Sequence, residues 1–438
     1  MKLKKLTLIR PNMGDYRSKD ALPPLAMGIL AALTPSSVTI SFYDDRIERI
    51  PFETDMPDMV ALSVETFTAR RAYEIAKVYR DRNIIVVMGG YHPTLLPDEV
   101  LQYADVVVIG DAEGVWEQIL EDFEHDALKQ IYTNPNEMSL DAYKLDRTIF
   151  KTKKYLPVEL IQFSRGCKHS CDFCSIEAFY HHKVRVRPIE SVVAELQTLN
   201  KKHLIFFVDD NLFSTKENLH KLLKAITPLN IRWSCQISID VARDEALLDQ
   251  MASSGCVFVL IGFESLVYEN LEQMGKKWNK NSGDYIDIVD KFHQRGIAVY
   301  GTFVFGYDYD TVDTIKQSVQ FAMDAKLEIA NFNPLTPTPN TGLYNRLIEE
   351  DRLNFNQWWL DPNFHYGDSI FTPKLIEADI FARQCYDAKQ RFYSYSSIFK
   401  RILLSKLKFR PFLFFILLLA NIVSKKEIKN KHNRKLGQ

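Results

Sequence analysis

The chain has 438 residues, 46% hydrophobic and 25% charged, with 17 glycines and 18 prolines. That is material for about two to four domains with buried cores, and it excludes a collagen-like, low-complexity or largely disordered protein. Its 55 Lys and Arg against 56 Asp and Glu leave a net charge of -1, which argues against a chain-wide nucleic-acid surface, but 11 of the basic residues and only one acid, Glu427, fall between Ile398 and Gln438.

Met1 to Arg10 alternates as a strand does and lacks the apolar stretch of a secretory signal, so a cytoplasmic protein is expected. Six cysteines, none before Cys167, make no disulfide framework. Over residues 1–135, apolar runs at Leu6–Arg10, Val38–Tyr43, Met59–Val64, Ile84–Met88 and Val106–Ile109 alternate with helical patterns at Pro24–Leu33, Ala69–Arg82, Asp98–Tyr103 and Val115–Phe123. The pattern predicts an α/β domain built on a doubly wound, Rossmann-like parallel sheet, with ligands beyond the carboxyl ends of its strands. Gly89-Gly90 and Gly110-Asp111-Ala112-Glu113 follow two of those strands, where they serve either a bulky ligand or a tight turn.

Residues 136–155 read as a linker. From 156 to 340 a second alternating array follows, with strands expected at Glu159–Phe163, Leu204–Val208, Ile231–Ile239, Val257–Gly262, Ala298–Phe305 and Ile329–Leu335. Six βα units fit a partial TIM-like barrel. Residues 341–397 predict a helical cover, and 398–438 a basic amphipathic tail.

The passage Arg165-Gly166-Cys167-Lys168-His169-Ser170-Cys171-Asp172-Phe173-Cys174 follows the first barrel strand. Cys167, Cys171 and Cys174 are spaced C-x3-C-x2-C, so their thiolates can converge on a soft metal centre. Three ligands to a four-iron cluster leave one iron open to a small molecule. A structural zinc closed by His169, His181 or His182 is the alternative, and with it a non-catalytic redox or scaffold protein.

The cysteine motif resembles the radical S-adenosylmethionine (SAM) superfamily, whose three cysteines hold a 4Fe-4S cluster that SAM chelates before cleavage to a 5'-deoxyadenosyl radical. Phe207-Val208-Asp209-Asp210-Asn211, Leu260-Ile261-Gly262-Phe263-Glu264-Ser265 and Phe303-Val304-Phe305-Gly306 resemble the branch with an N-terminal cobalamin-binding domain. Leu335 to Thr341 does too, with Asn340 where glycine is usual and where a left-handed residue is tolerated. The resemblance implies that Phe173 contacts adenine, Asp209 and Asp210 face the SAM amino group, Glu264 reaches the ribose and Phe305 belongs to the same cofactor site. In the N-terminal domain it implies cobalamin at Ser63, Thr66, Gly89, Gly90, Gly110 and Glu113. No D-x-H-x-x-G motif occurs and His92 stands elsewhere, so the expected corrinoid lacks a histidine ligand.

Relatives of this branch include hopanoid methylases and the anaerobic magnesium-protoporphyrin oxidative cyclase. The expected activity is methyl transfer to an unactivated carbon of a small, lipophilic substrate, with oxidative cyclisation or rearrangement as the alternative. A flavodoxin or ferredoxin is the expected reductant. In the tail, Lys400, Arg401, Lys406, Lys408 and Arg410 precede the apolar run Phe412–Val423, and Lys425, Lys426, Lys429 and Lys431 follow it. That run is too short to span a bilayer. It predicts either an interfacial segment at a membrane or a buried terminal helix.

Overall fold

The computed structural model describes residues 2–134, 139–214, 216–280, 283–405 and 411–437. The start of the expected linker and the basic residues Lys406, Lys408 and Arg410 lie outside them.

Short apolar runs alternating with amphipathic helices form a parallel sheet covered on both faces. Strands β1 (Lys5–Arg10), β2 (Thr39–Asp44), β3 (Met59–Ser63), β4 (Ile85–Gly89), β5 (Val106–Ile109) and β6 (Ile131–Thr133) run in the order β2-β1-β3-β4-β5-β6, every pair parallel. Strand β6 is a three-residue edge that the sequence pattern does not predict. The helix Ala69–Arg80 buries Ala69, Ala72, Tyr73, Ala76 and Tyr79, the stripe of an amphipathic helix. Lys77 and Arg80 occupy its last turn, where cations oppose the helix dipole.

Strand β7 (Val158–Ile161) opens the second sheet, and a short antiparallel pair, β8 (Ser164–Arg165) with β9 (Arg185–Val186), follows it. Then come β10 (Leu204–Phe207), β11 (Trp233–Ile237), β12 (Cys256–Glu264), β13 (Ala298–Phe305) and β14 (Ile329–Pro334). The order β14-β13-β12-β11-β10-β7 is sequential and parallel throughout, with β7 and β14 as its two edges. This is the partial barrel that six βα units predict. Three of its crossover helices start on side-chain caps: Asp244 accepts from Leu247 N–H at 3.0 Å, Asp284 from Ile286 N–H at 2.7 Å, and Thr311 from Thr314 N–H at 3.2 Å.

Between barrel and helices lies an aromatic layer. Phe263, Phe303 and Phe332 stack across β12, β13 and β14 with ring centroids 5.6 and 5.3 Å apart, and Phe321 and Phe392 close on them from the helices. Alternation along β13 puts Tyr300, Thr302 and Val304, all half-buried, on the opposite face.

The C-terminal part does more than cover the barrel. Helices Ala378–Phe392 and Pro411–Lys431 pack along β14, and the helix Tyr395–Leu404 contributes Arg401, whose buried guanidinium donates to the carbonyls of Leu327, Glu328 and Phe392 and to Asn421 Oδ1 at 2.7–3.1 Å. Trp358, Trp359, Phe364, Ile370 and Leu436 enter the core of the N-terminal sheet instead. Arg434 pairs with Asp15 at 2.9 Å, and Gly437 bridges to Gly14. The distal half of the basic tail therefore packs on the body. Among the described residues no helix is long and apolar enough to cross a membrane.

Candidate active site

The carboxyl ends of the two sheets meet across a cavity of about 460 Å³. Ser63, Gly89, Gly90 and Gly110 line it from the turns after β3, β4 and β5, while Gln162, Arg165 and Asp210 line it from the barrel. Both architectures bind ligands beyond their strand ends, and here the two positions coincide. At Gly90 φ is +107°, and a Cβ there would lie 2.9 Å from the Val64 carbonyl oxygen, so the turn that opens this wall requires glycine. A second cavity, of about 530 Å³, shares Arg10, Leu22, Arg46 and Glu65 with the first and extends to Asn333 and Lys389.

The cysteine loop begins beside the first cavity. Gly166 has φ +86°, and a side chain there would strike the Lys183 carbonyl. Two acids after β10 hold the loop's start: Asp209 accepts hydrogen bonds from the N–H groups of Phe163 and Ser164 and from the Ser164 hydroxyl, and Asp210 accepts from Gly166 N–H at 2.7 Å. Burial, only partly offset by these donors, raises Asp209 to about 7 and Asp210 to about 6. Next to them Asn211 places its amide 4.0 Å from Cys167 Sγ. Cys171 is buried, Cys167 and Cys174 are half-exposed, and the helix Ser175–Tyr180 starts at Cys174.

Lys276 and Glu264 form a buried ion pair at 2.7 Å near the loop. Burial opposes the Lys276 ammonium, but Glu264 and the neighbouring Cys171 hold its pKa above the usual lysine value. Glu264 ends β12 with φ +60°, an unusual backbone for a non-glycine residue, where the register with β13 shifts. Asn279 supports that bend by donating to the carbonyls of Gly262 and Phe263 at 3.1 and 3.2 Å. His169 stacks on Trp278 at 4.3 Å, and its buried Nε2 has no hydrogen-bond partner among the described residues.

The donor set suits an iron-sulfur cluster. Three soft cysteine thiols share one loop, and cysteine thiolates are the protein ligands that hold the irons of such a cluster. The cavity beside the loop suits a large ligand, because glycine turns form one wall and apolar residues, including Ile29, Leu30 and Trp116, form its depth.

Residues 161–322 match the radical SAM superfamily and residues 23–120 match the B12 binding domain. The chain belongs to the B12-binding radical SAM family. It is 29% identical over 413 residues to bacteriochlorophyllide d C-12(1)-methyltransferase of Chlorobaculum tepidum, covering 91% of this chain and 89% of the relative. It is 27% identical over 433 residues to bacteriochlorophyllide d C-8(2)-methyltransferase of the same organism, covering 90% and 95%. Among solved structures, the radical SAM methyltransferase TsrM of Kitasatospora setae, determined with tryptophan and a SAM analogue, superposes with a TM-score of 0.68 at 15% identity over 98% of this chain and 99% of that one. That likeness concerns the fold.

In this radical SAM enzyme the candidate residues fall into groups. Ser63, Gly89, Gly90, Gly110, Glu113 and Asp210 share one cavity. Thr66 is buried at the start of a single turn, Thr66–Thr68, away from that lining. Phe173 packs beside Tyr307 and Val304. Asp209 is engaged by the chain that leads into the cysteine loop. Phe305 departs from expectation: it is 1% exposed, in the aromatic layer beside Phe332, because it shares the parity of Phe303 and so faces the helices. His92 is fully buried, with Nε2 at 3.0 Å from Tyr73 Oη and 3.1 Å from Glu99, and is not among the residues that line the cavity, although Tyr91 before it is. Asn340 has φ +59°, the left-handed backbone anticipated for it. Cys235, Cys256 and Cys385 are buried core residues.

Sequence reading missed the charged clasp over the cavity. Arg165 lies 2.6 Å from Glu113 and 3.1 Å from Asp111, and Arg185 also pairs with Asp111. Lys276 and Asn279 were missed as well. They sit in a stretch with no periodic signal, and only the fold brings Lys276 to Glu264 and Asn279 to the carbonyls of Gly262 and Phe263.

Proposed function

We propose that this enzyme transfers a methyl group to an unactivated carbon of a small, lipophilic substrate. The observation that carries the reading is that the glycine turns of one domain and, from the other, Arg165 and Asp210 at the start of the cysteine loop line a single cavity. Similarity to two methyltransferases over nine-tenths of the chain supports it.

Cys167, Cys171 and Cys174 would hold a 4Fe-4S cluster with SAM at its open iron, and the wall from Ser63 to Gly110 would hold cobalamin; together these groups supply radical and methyl-carrier chemistry. The chain's own task is placement. Asp209 and Asp210 anchor the loop that carries the thiols, while the Glu264–Lys276 pair sets a charged wall beside it. His92 is held by Tyr73 and Glu99, which favours a corrinoid without a histidine ligand. The second cavity offers the substrate a route, and a flavodoxin or ferredoxin would supply electrons.

The test is anaerobic turnover of the reconstituted chain with methyl-labelled SAM and bacteriochlorophyllide d as first probe. Label in the tetrapyrrole, with 5'-deoxyadenosine and S-adenosylhomocysteine both formed, is the expected result. Formation of 5'-deoxyadenosine with an unlabelled, cyclised or rearranged product would replace this reading.

A further inference from the structure

The two C-terminal helices present apolar side chains that the described residues leave uncovered. On Tyr395–Leu404, Tyr395, Phe399 and Leu403 recur every four residues and are 71%, 66% and 39% exposed; on Pro411–Lys431, Phe415, Ile416 and Leu419 are 66%, 38% and 62% exposed. The opposite sides of the same helices are fixed. Ile398, Ile402, Leu413 and Leu417 are buried, and Arg401 and Asn421 are tied to the backbone around β14. Neither helix can roll to hide its outward side chains without breaking that network.

The charge around this face selects its partner. Lys400, Lys426 and Lys429 are exposed beside it, and Lys425 Nζ sits 3.9 Å above the Tyr395 ring. Glu427, the only acidic residue after Asp387, is buried and accepts a hydrogen bond from Tyr16. A second copy docking symmetrically would set lysines against lysines. An anionic surface with an apolar interior meets both features.

We infer that this face docks the enzyme on an anionic phospholipid bilayer. The helix that carries Leu419 runs on to Lys431, which lines the second cavity, a distance of roughly 18 Å along the helix axis. A ligand leaving the bilayer at this face arrives beside that cavity. The inference stands whatever the reaction.

The experiment is co-sedimentation of the full, reconstituted chain with vesicles of phosphatidylcholine alone and of phosphatidylcholine with phosphatidylglycerol. Binding should require the anionic lipid, weaken with salt, and drop about tenfold or more in Phe399→Ser with Phe415→Ser and in Lys400→Glu with Lys426→Glu. Thermal unfolding should be unchanged, since all four side chains are outside the core; if the aromatic variant nevertheless fails to fold, the lysine variant carries the test. Equal binding to both vesicle types, or equal binding by the wild type and the lysine variant, would overturn the inference. So would a concentration-dependent dimer in analytical ultracentrifugation that the aromatic substitutions abolish, because it would assign the face to a second copy.

Discussion

Arg165, two residues before the first cysteine of the loop, places its guanidinium 2.6 Å from the carboxylate of Glu113 in the N-terminal domain. With Asp111 at 3.1 Å, it joins the two sides of the first cavity through a nearly buried pair of contacts. Removing one partner from such a group leaves an uncompensated charge. Arg165→Ala should therefore destabilise the protein by about 3–5 kcal/mol, read from urea unfolding. Arg165→Lys should recover only part of this, because an ammonium lacks the planar fork that reaches both acids.

Each of Cys167→Ala, Cys171→Ala and Cys174→Ala should lose reconstituted iron and sulfide and lower SAM cleavage by more than about 100-fold, beyond what outer-sphere changes produce. Cys256→Ala, a core position on β12, should keep the cluster. Iron analysis with an assay for 5'-deoxyadenosine checks both, and a Cys171 variant that cleaves SAM normally would refute the ligand assignment.

Asp209 makes stability depend on pH. Burial raises its pKa from 3.8 to about 7, so the folded chain keeps this proton over a range in which the unfolded chain releases it. The stability linked to this group falls as pH rises from about 4 to about 7 and levels off above that. Asp209→Asn should flatten that slope and cost about 1–3 kcal/mol, because an amide NH2 would face a donor that now meets a carboxyl oxygen. Denaturation midpoints across the pH range measure both.

Arg401 holds the C-terminal helices to the barrel through bonds to Leu327, Glu328, Phe392 and Asn421, with its guanidinium 3.7 Å above the Phe392 ring. Its removal strands several buried carbonyls, at about 1–3 kcal/mol each if they stay dry. Arg401→Ala should make the segment after Ser394 sensitive to limited proteolysis while the barrel remains resistant. A digestion pattern identical to wild type would show that the helices hold without it.

The sheets were legible because their information is local. Each strand of the N-terminal sheet except β6, and each of the six strands of the barrel sheet, is an apolar run between helical patterns, and the observed bounds lie within two residues of those expected. The cysteine loop was legible from spacing alone. Phe305 was not, because strand parity decides whether an aromatic enters the barrel or the helical layer, and a motif does not state parity. Arg165 gains its meaning from Glu113, 52 residues away, and Lys276 and Asn279 from partners 12 to 17 residues back across a stretch without a periodic signal. The tail was ambiguous for a related reason: apolar and basic residues suit a membrane and a groove equally, and only the bonds of Arg401 and Asn421 show which side of its helices packs on the body.

Trp358, Trp359 and Leu436 complete the hydrophobic core of the sheet formed by the first strands of the chain. Synthesis and folding therefore proceed in different orders. The N-terminal sheet leaves the ribosome first with an apolar flank open, and that flank stays unsealed while the whole barrel is made. A fragment ending after β6 should be sticky and poorly folded, and a nonsense mutation shortly before Trp358 should disable the domain farthest from it in sequence. The same closure ties loosening of the N-terminal sheet to release of the last strap, so both should appear as one cooperative event in hydrogen exchange.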